Sequence, residues 1–353
     1  MFTERLAQLP GGIELSYTDS GPPASSSTDY TTVIIVHGMG FNAHGFEKLH
    51  DLAAKYNLRT IAFQRRGYQG STEYTDSELD DQYNGRKSCG DRLALELAYF
   101  CQHVAEEHHI PLKSKDGKSG GIAILGWSMG AVSAMSIFSD STNLPSDIHD
   151  NLAKYIRNLV LYDPPYQAYG YELPANYEAP KPASDQTHAP SSEEIYGAVR
   201  IAISGYYDKP KDWSGDINAL DQRMRADKVT VDGWTAEENR NYFSLESAMK
   251  ADFSMFMPPF QKLVGEVTRG VLFSETAAKG LFPSVQVTLL YPERTHWYCV
   301  WGSWITQKLY NECKNRGEII RPLNVVHIKG GNHFTHHDKP NEFLAAVQTG
   351  LSL

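Results

Sequence analysis

Short apolar runs that recur between helix-period segments constrain the fold of this chain more than any other feature. The runs are Thr32-Val33-Ile34-Ile35-Val36, Arg59-Thr60-Ile61-Ala62-Phe63, Ile122-Ala123-Ile124-Leu125 and Leu159-Val160-Leu161-Tyr162. Each is too short for a buried helix and lacks the alternation of a half-exposed strand, so each reads as a strand covered on both faces. Between them, residues 44–56 read as a helix, residues 131–138 as another, and Leu93, Leu97, Cys101 and Val104 mark one face of a third. Strands joined by helical crossovers build a mostly parallel central sheet flanked by helices, an α/β architecture. With 41% of 353 residues apolar, the chain has ample material for its core.

The alternation stops after Asp163-Pro164-Pro165 and resumes at Val285-Gln286-Val287-Thr288-Leu289-Leu290 and Leu323-Asn324-Val325-Val326-His327-Ile328. In between lies a Pro-, Ser- and Tyr-rich stretch, residues 172–194, followed by irregular helical segments. One of these is rich in large soft side chains: Tyr242, Phe243, Met249, Phe253, Met255, Phe256 and Met257. Flexible Met and planar rings suit an adaptable apolar pocket, and they suit an ordinary helical core equally well. The expected division is a core of residues 1–165 and 283–353, interrupted by a mainly helical cap of residues 166–282.

The formal net charge of -9, without any cluster of Lys and Arg, excludes a nucleic-acid partner. Cys89, Cys101, Cys299 and Cys313 stand apart with no Cys-x-x-Cys pair, which suits free thiols in a reducing compartment. No apolar run reaches the length of a signal peptide or a membrane span. The C-terminal Leu351-Ser352-Leu353 lacks the basic middle residue of a peroxisomal address. The expectation is a cytoplasmic protein with a small-molecule substrate, no cofactor and no membrane partner; the sequence is silent on oligomeric state.

The chemistry centres on Gly126-Trp127-Ser128-Met129-Gly130. A bare Gly-x-Ser-x-Gly is weak evidence, because such a match arises by chance in roughly one chain in ten of this size. Here it follows four apolar strand residues and opens a helix, the setting of a nucleophile held on a strained turn. Side chains at positions 126 and 130 would collide with the neighbouring strand and helix. The helix N-terminus directs backbone N–H groups and a positive dipole end at a developing oxyanion. Serine needs a base. Of the thirteen histidines, His333 in Gly331-Asn332-His333-Phe334 is best placed, in a loop past the last strand run. His336 and His337 follow closely, but no acidic or Cys partner at ligand spacing joins them, so no metal site is expected.

Four motifs in order, His37-Gly38-Met39-Gly40, Arg66-Gly67-Tyr68-Gln69-Gly70-Ser71, the Ser128 pentapeptide and Gly331-Asn332-His333-Phe334, resemble the α/β-hydrolase superfamily. The resemblance covers nearly the whole chain outside the expected cap, and it implies the α/β-hydrolase fold with the cap inserted after the sixth strand. It further implies an oxyanion hole from the N–H of Met129 and one N–H of the first loop, with Met39 the first candidate, and a structural role for His37. Gly38, Gly40, Trp127 and Tyr166 are then expected to border the substrate, with Tyr169 and Tyr171 at the mouth or on the lid surface. The third triad member departs from the usual pattern: many members place an acid after the penultimate strand, where this chain reads Tyr291-Pro292-Glu293-Arg294-Thr295-His296 with Thr295 in the acid's place. Some members put the carboxylate one strand earlier, which makes Asp163 the first candidate and Glu293 the alternative.

The expected function is a serine hydrolase of an ester, thioester or lactone in a bulky apolar molecule, a secondary metabolite being one such class. The same fold also hosts carbon-carbon bond hydrolases, lyases and condensation or cyclisation catalysts, and a ligand receptor with a vestigial triad is a third reading.

Overall fold

The four apolar runs become the middle of a single eight-stranded sheet in this computed structural model, which describes residues 2–24, 29–140, 144–179 and 191–353. Its strands are β1 (Arg5–Leu9), β2 (Ile13–Asp19), β3 (Thr31–Val36), β4 (Leu58–Phe63), β5 (Ile122–Trp127), β6 (Ile156–Tyr162), β7 (Gln286–Pro292) and β8 (Leu323–Ile328). They lie in the order β1-β2-β4-β3-β5-β6-β7-β8. From β4 to β8 every neighbouring pair is parallel, whereas β2 runs antiparallel to both β1 and β4. Every residue of β3, β4, β5 and β6 is buried, as their apolar runs imply in a sheet covered on both faces, and Arg59 of β4 and Arg157 of β6 are buried with them. The β1–β2 hairpin had no such signal. Its strands sit at the sheet edge with polar residues among the apolar ones, and they turn at Gly11 and Gly12, both at positive φ.

Two hydrophobic cores sandwich the sheet. One gathers the buried face of helix Lys87–Glu107 with helices Gly130–Ser136 and Pro258–Phe273. The other gathers helices Glu47–Ala53 and Pro340–Ser352. Chain order reverses at β3, whose neighbours are β4 on one side and β5 on the other. The crevice beyond the carboxyl ends of β3 and β5 is therefore the natural binding place of such a sheet.

The insert between β6 and β7 contains no sheet strand among its described residues; part of its Pro-, Ser- and Tyr-rich stretch, residues 180–190, lies outside them. Backbone bonds stitch it to the loop after β3: Ser244 N–H donates to Gly40 O at 2.7 Å, and Asn42 N–H donates to Tyr242 O at 3.2 Å. A buried ion pair adds a second anchor. Arg65 Nη2 donates to Asp252 Oδ1 at 2.9 Å and Oδ2 at 3.0 Å, and Asp252 is fully buried in a π-helical turn, Ala248–Asp252. Where the chain returns to the sheet, buried Arg321 donates to five carbonyls, those of Val271, Ala277, Leu281, Phe282 and Val285.

Burial holds several histidines neutral. It lowers His50 to about 4 and His296 to about 3, and carries His37 and His336 well below the usual value. His44 goes the other way, raised by its bond to Glu47. A histidine neutral in the fold and protonated when unfolded makes the unfolded state bind more protons below about pH 6.5, so stability falls with pH from there towards the folded values. Each such group contributes about 1.4 kcal/mol per pH unit inside its window. We expect the urea midpoint to drop steeply between pH 7 and pH 5, with His50→Gln flattening the slope; a midpoint constant over that range would contradict this account.

Candidate active site

Ser128 sits at φ 55° in the turn between β5 and helix Gly130–Ser136. A left-handed serine is strained by an amount on the order of 1–3 kcal/mol. The turn is held from below by the Ser128 N–H, which donates to Tyr162 O at 3.0 Å. Glycines let the pieces approach. A Cβ on Gly130 would lie 2.4 Å from the carbonyls of Val36 and His37, and one on Gly126 would lie 2.6 Å from Ala131 Cα.

Asp163 follows β6 immediately and is itself left-handed, φ 48°, with its N–H donating to Leu290 O at 3.1 Å. This conformation, which Asp tolerates better than most residues, accompanies a carboxylate set beside His333. His333 Nδ1 donates to Asp163 Oδ2 at 2.6 Å, with both side chains buried. Thr295, in the place where an acid was sought, donates its hydroxyl to the same oxygen at 2.5 Å. Glu293 points elsewhere: its Oε2 accepts from Gly330 N–H at 3.4 Å and its Oε1 lies 3.9 Å from His327. The carboxylate alongside His333 is thus that of Asp163. Cys299 Sγ lies 3.6 Å from His333 Nδ1, and burial pushes its thiol up, which keeps it protonated. Together Asp163, Cys299 and His333 present ligand-type atoms within 4.8 Å of one another, but the Asp163–His333 bond already engages two of them.

The histidine loop is fixed from three sides. Trp127 Nε1 and Tyr162 Oη both donate to His333 O, at 3.0 and 2.9 Å, while Asn332 Nδ2 donates to Ser204 O and Thr230 Oγ1 in the insert. His336 and His337 diverge from His333: His336 stacks on Phe46, and His337 pairs with Glu238 and Asp338.

The loop after β3 completes the arrangement. Burial keeps His37 neutral; its Nδ1 donates to Gly38 O at 2.8 Å and its Nε2 accepts from Arg65 N–H at 3.0 Å. Gly40 N–H donates to Tyr68 Oη at 2.7 Å and to Asp252 Oδ2 at 3.2 Å, and Tyr68 donates to the same carboxylate oxygen. Arg65 Nη2 also donates to Gly38 O at 3.1 Å. Gly40 N–H is therefore occupied. Among the described residues, the N–H groups of Met39 and Met129 have no partner.

Ser128 and His333 open onto one cavity of about 250 Å³, walled by Met39, Phe41, Val199, Phe243, Phe253 and Phe256 among others. Three of the soft side chains singled out in the sequence, Phe243, Phe253 and Phe256, do line it; Met255 is core and Met249 faces solvent. Four expectations for the substrate wall need correction. Trp127 lies behind the site, its ring buried among Phe41, Phe46 and His336, because strand alternation turns it to the opposite face. Tyr166 stacks on Trp297 outside the cavity. Gly40 is enclosed by Phe243, and Gly38 packs against Ser128 Cβ, each as a close-approach position with no cavity surface of its own. Tyr169 and Tyr171 stack on each other in the core, away from any mouth.

Residues 33–347 match the alpha/beta hydrolase family, and the chain belongs to that family. It is a hydrolase by that membership. No curated protein sequence matches it. Among solved structures, epoxide hydrolase A from Mycobacterium thermoresistibile shares the fold at 14% identity and a TM-score of 0.51, with 99% of this chain and 98% of that one covered. The esterase EaEST from Exiguobacterium antarcticum does so at 13% identity and a TM-score of 0.50, with both chains covered completely.

Sequence reasoning missed the Arg65–Tyr68–Asp252 cluster. Tyr68 lay in a quoted motif, but its partner is 184 positions away and carries no local signal. Removing one member of a buried pair strands the other charge, a loss of about 3–5 kcal/mol. Asp252→Asn is expected to lower the unfolding free energy by that order in urea titration, while the double variant Arg65→Met/Asp252→Leu recovers much of it. An unchanged midpoint for Asp252→Asn would contradict the role given to this pair.

Proposed function

We propose that the chain is a serine hydrolase cleaving an ester bond in an apolar small molecule, through Ser128, His333 and Asp163. The observation that carries the reading is the 2.6 Å bond from His333 Nδ1 to Asp163, with Nε2 thereby left to serve as base and Ser128 on the same cavity. Asp163 holds the tautomer and stabilises the imidazolium that forms when Ser128 gives up its proton. The alkoxide attacks the carbonyl carbon, and the N–H groups of Met39 and Met129 receive the oxyanion. His333 then protonates the departing alcohol, and water, activated by the same imidazole, releases the acid. An ester, thioester or lactone presents the same electrophilic carbon to this sequence of steps. The insert, acting as a cap, supplies the apolar wall that excludes bulk water from the acyl group.

Thr295 is part of this proposal as a positioning residue. Its hydroxyl fixes the Asp163 oxygen that also receives the histidine proton, so its loss lets the carboxylate turn.

With aryl esters as substrates and a fluorophosphonate as the active-site label, Ser128→Ala is expected to lose both labelling and turnover, and His333→Ala turnover. Asp163→Asn should lower kcat by roughly 10³–10⁴-fold, the size of effect produced by upsetting the histidine tautomer, whereas Glu293→Gln stays near wild type. Thr295→Val should lower kcat by roughly tenfold, in line with one lost hydrogen bond to a charged group. Retained activity in Asp163→Asn together with loss in Glu293→Gln would refute the assignment of the acid.

A further inference from the structure

Arg200, on helix Ser192–Ile203, reaches the cavity that holds Ser128 and His333, and it is the one Arg or Lys among the lining residues. The buried arginines elsewhere show what such a charge normally has. Arg59 pairs with Asp19, Arg65 with Asp252, and Arg66 with Glu78 and Glu96, while Arg321 takes five carbonyls and Arg157 takes the Thr31 hydroxyl and the Leu351 carbonyl. Arg200 has neither a carboxylate nor a backbone carbonyl among the described residues. Among the described residues its guanidinium donates only to the neutral side-chain amide of Asn239, its Nε has no partner, and no carboxylate pairs with it. Burial alone lowers its pKa, with no acidic neighbour to raise it.

The side chain is nonetheless held in place. Its guanidinium carbon lies 5.3 Å from the ring centre of Trp234 and 5.1 Å from that of Phe243, and Phe243 is itself a cavity wall. A cation fixed between two rings loses little further side-chain freedom on binding a ligand. A half-buried positive charge with no counter-charge among the described residues, at the edge of an otherwise apolar chamber, is suited to an anion. The planar fork of guanidinium donors matches a carboxylate best.

We propose that Arg200 binds a carboxylate of the substrate, remote from the bond that is cleaved. Resting on the serine-hydrolase reading above, this makes the substrate an ester with an apolar body and a free acid group: the body fills the wall of Phe and Met side chains, the acid meets Arg200, and the ester carbonyl lies at Ser128.

The test is equilibrium binding, which does not depend on turnover. Phenylbutyrate and its uncharged counterpart phenylbutyramide are titrated calorimetrically into the wild-type protein, Arg200→Gln, Arg200→Met and Arg200→Lys at one fixed ionic strength. The carboxylate is expected to bind wild type tighter than the amide by roughly tenfold or more, the scale of a charge-assisted contact. Arg200→Gln should bring the two to parity, and Arg200→Lys should keep part of the preference. Arg200→Met retains the apolar stem between Trp234 and Phe243 and gives the same readout should the Gln variant fold poorly. Equal affinities in wild type, no binding of the carboxylate, or a preference that persists in both Arg200→Gln and Arg200→Met would overturn the proposal; persistence would put the carboxylate on the Met39 and Met129 N–H groups. Fluorophosphonate labelling of Ser128 is scored separately. A protein that selects carboxylates through Arg200 but neither labels nor cleaves esters would sink the ester reading and leave the anion site standing.

Discussion

The close approach of β3, β5 and the helix behind Ser128 is the constraint on which the rest of the site depends. Three glycines make it possible: Gly130 against the carbonyls ending β3, Gly126 against the first turn of the helix, and Gly38 against Ser128 itself, whose Cβ would lie 2.9 Å from an added side chain. Any methyl group at these points would push the serine turn away from the loop after β3. Met39 and Met129, which come from those two segments and border one cavity, would then be drawn apart. Strain at Ser128 is thus sustained by packing from several directions, as local strain in a folded chain must be.

The acid shows how the order of strands governs chemistry. β6 lies between β5 and β7, so a residue just beyond its end stands between the serine turn and the loop after β7. Asp163 uses that place, and the loop after β7 contributes Thr295 in support of it. Among the described residues, Asp163 Oδ1 accepts no hydrogen bond, although it is buried. One carboxylate oxygen therefore carries both hydrogen bonds, and the orientation of the histidine depends on that single atom.

Much of this was legible in the sequence for reasons that are local. Strands buried on both faces carry short apolar runs, and β3 through β6 each contain one, although β4 and β6 also bury Arg59 and Arg157. Ser128 and His333 stood in short motifs at strand ends, where backbone geometry dictates residue type. The carboxylate could be narrowed to Asp163 and Glu293 because only a few acidic residues follow predicted strands. What escaped notice was non-local or depended on side-chain direction. The half-exposed β1–β2 hairpin carries a mixed pattern. Trp127 sits one residue before the nucleophile, yet strand alternation turns it to the far side of the sheet. Asp252 meets Arg65 and Tyr68 from 187 and 184 positions away, and Arg200 becomes conspicuous only once its lack of a counter-charge is visible in three dimensions.

The tie between Arg65 and Asp252 bears on how molecules come and go. Lifting the insert away as a rigid flap would pull a fully buried carboxylate off its guanidinium and also break the backbone bonds of Ser244 and Asn42 to their partners. Each opening of that kind would break both anchors at once. The insert is better regarded as a fixed roof, with traffic through a rim where Ile195 and Phe253, 47% and 46% exposed, border the cavity. Passage then requires only rotation of a few apolar side chains. The cross-section of the entering molecule, as much as its fit once inside, decides what reaches the serine.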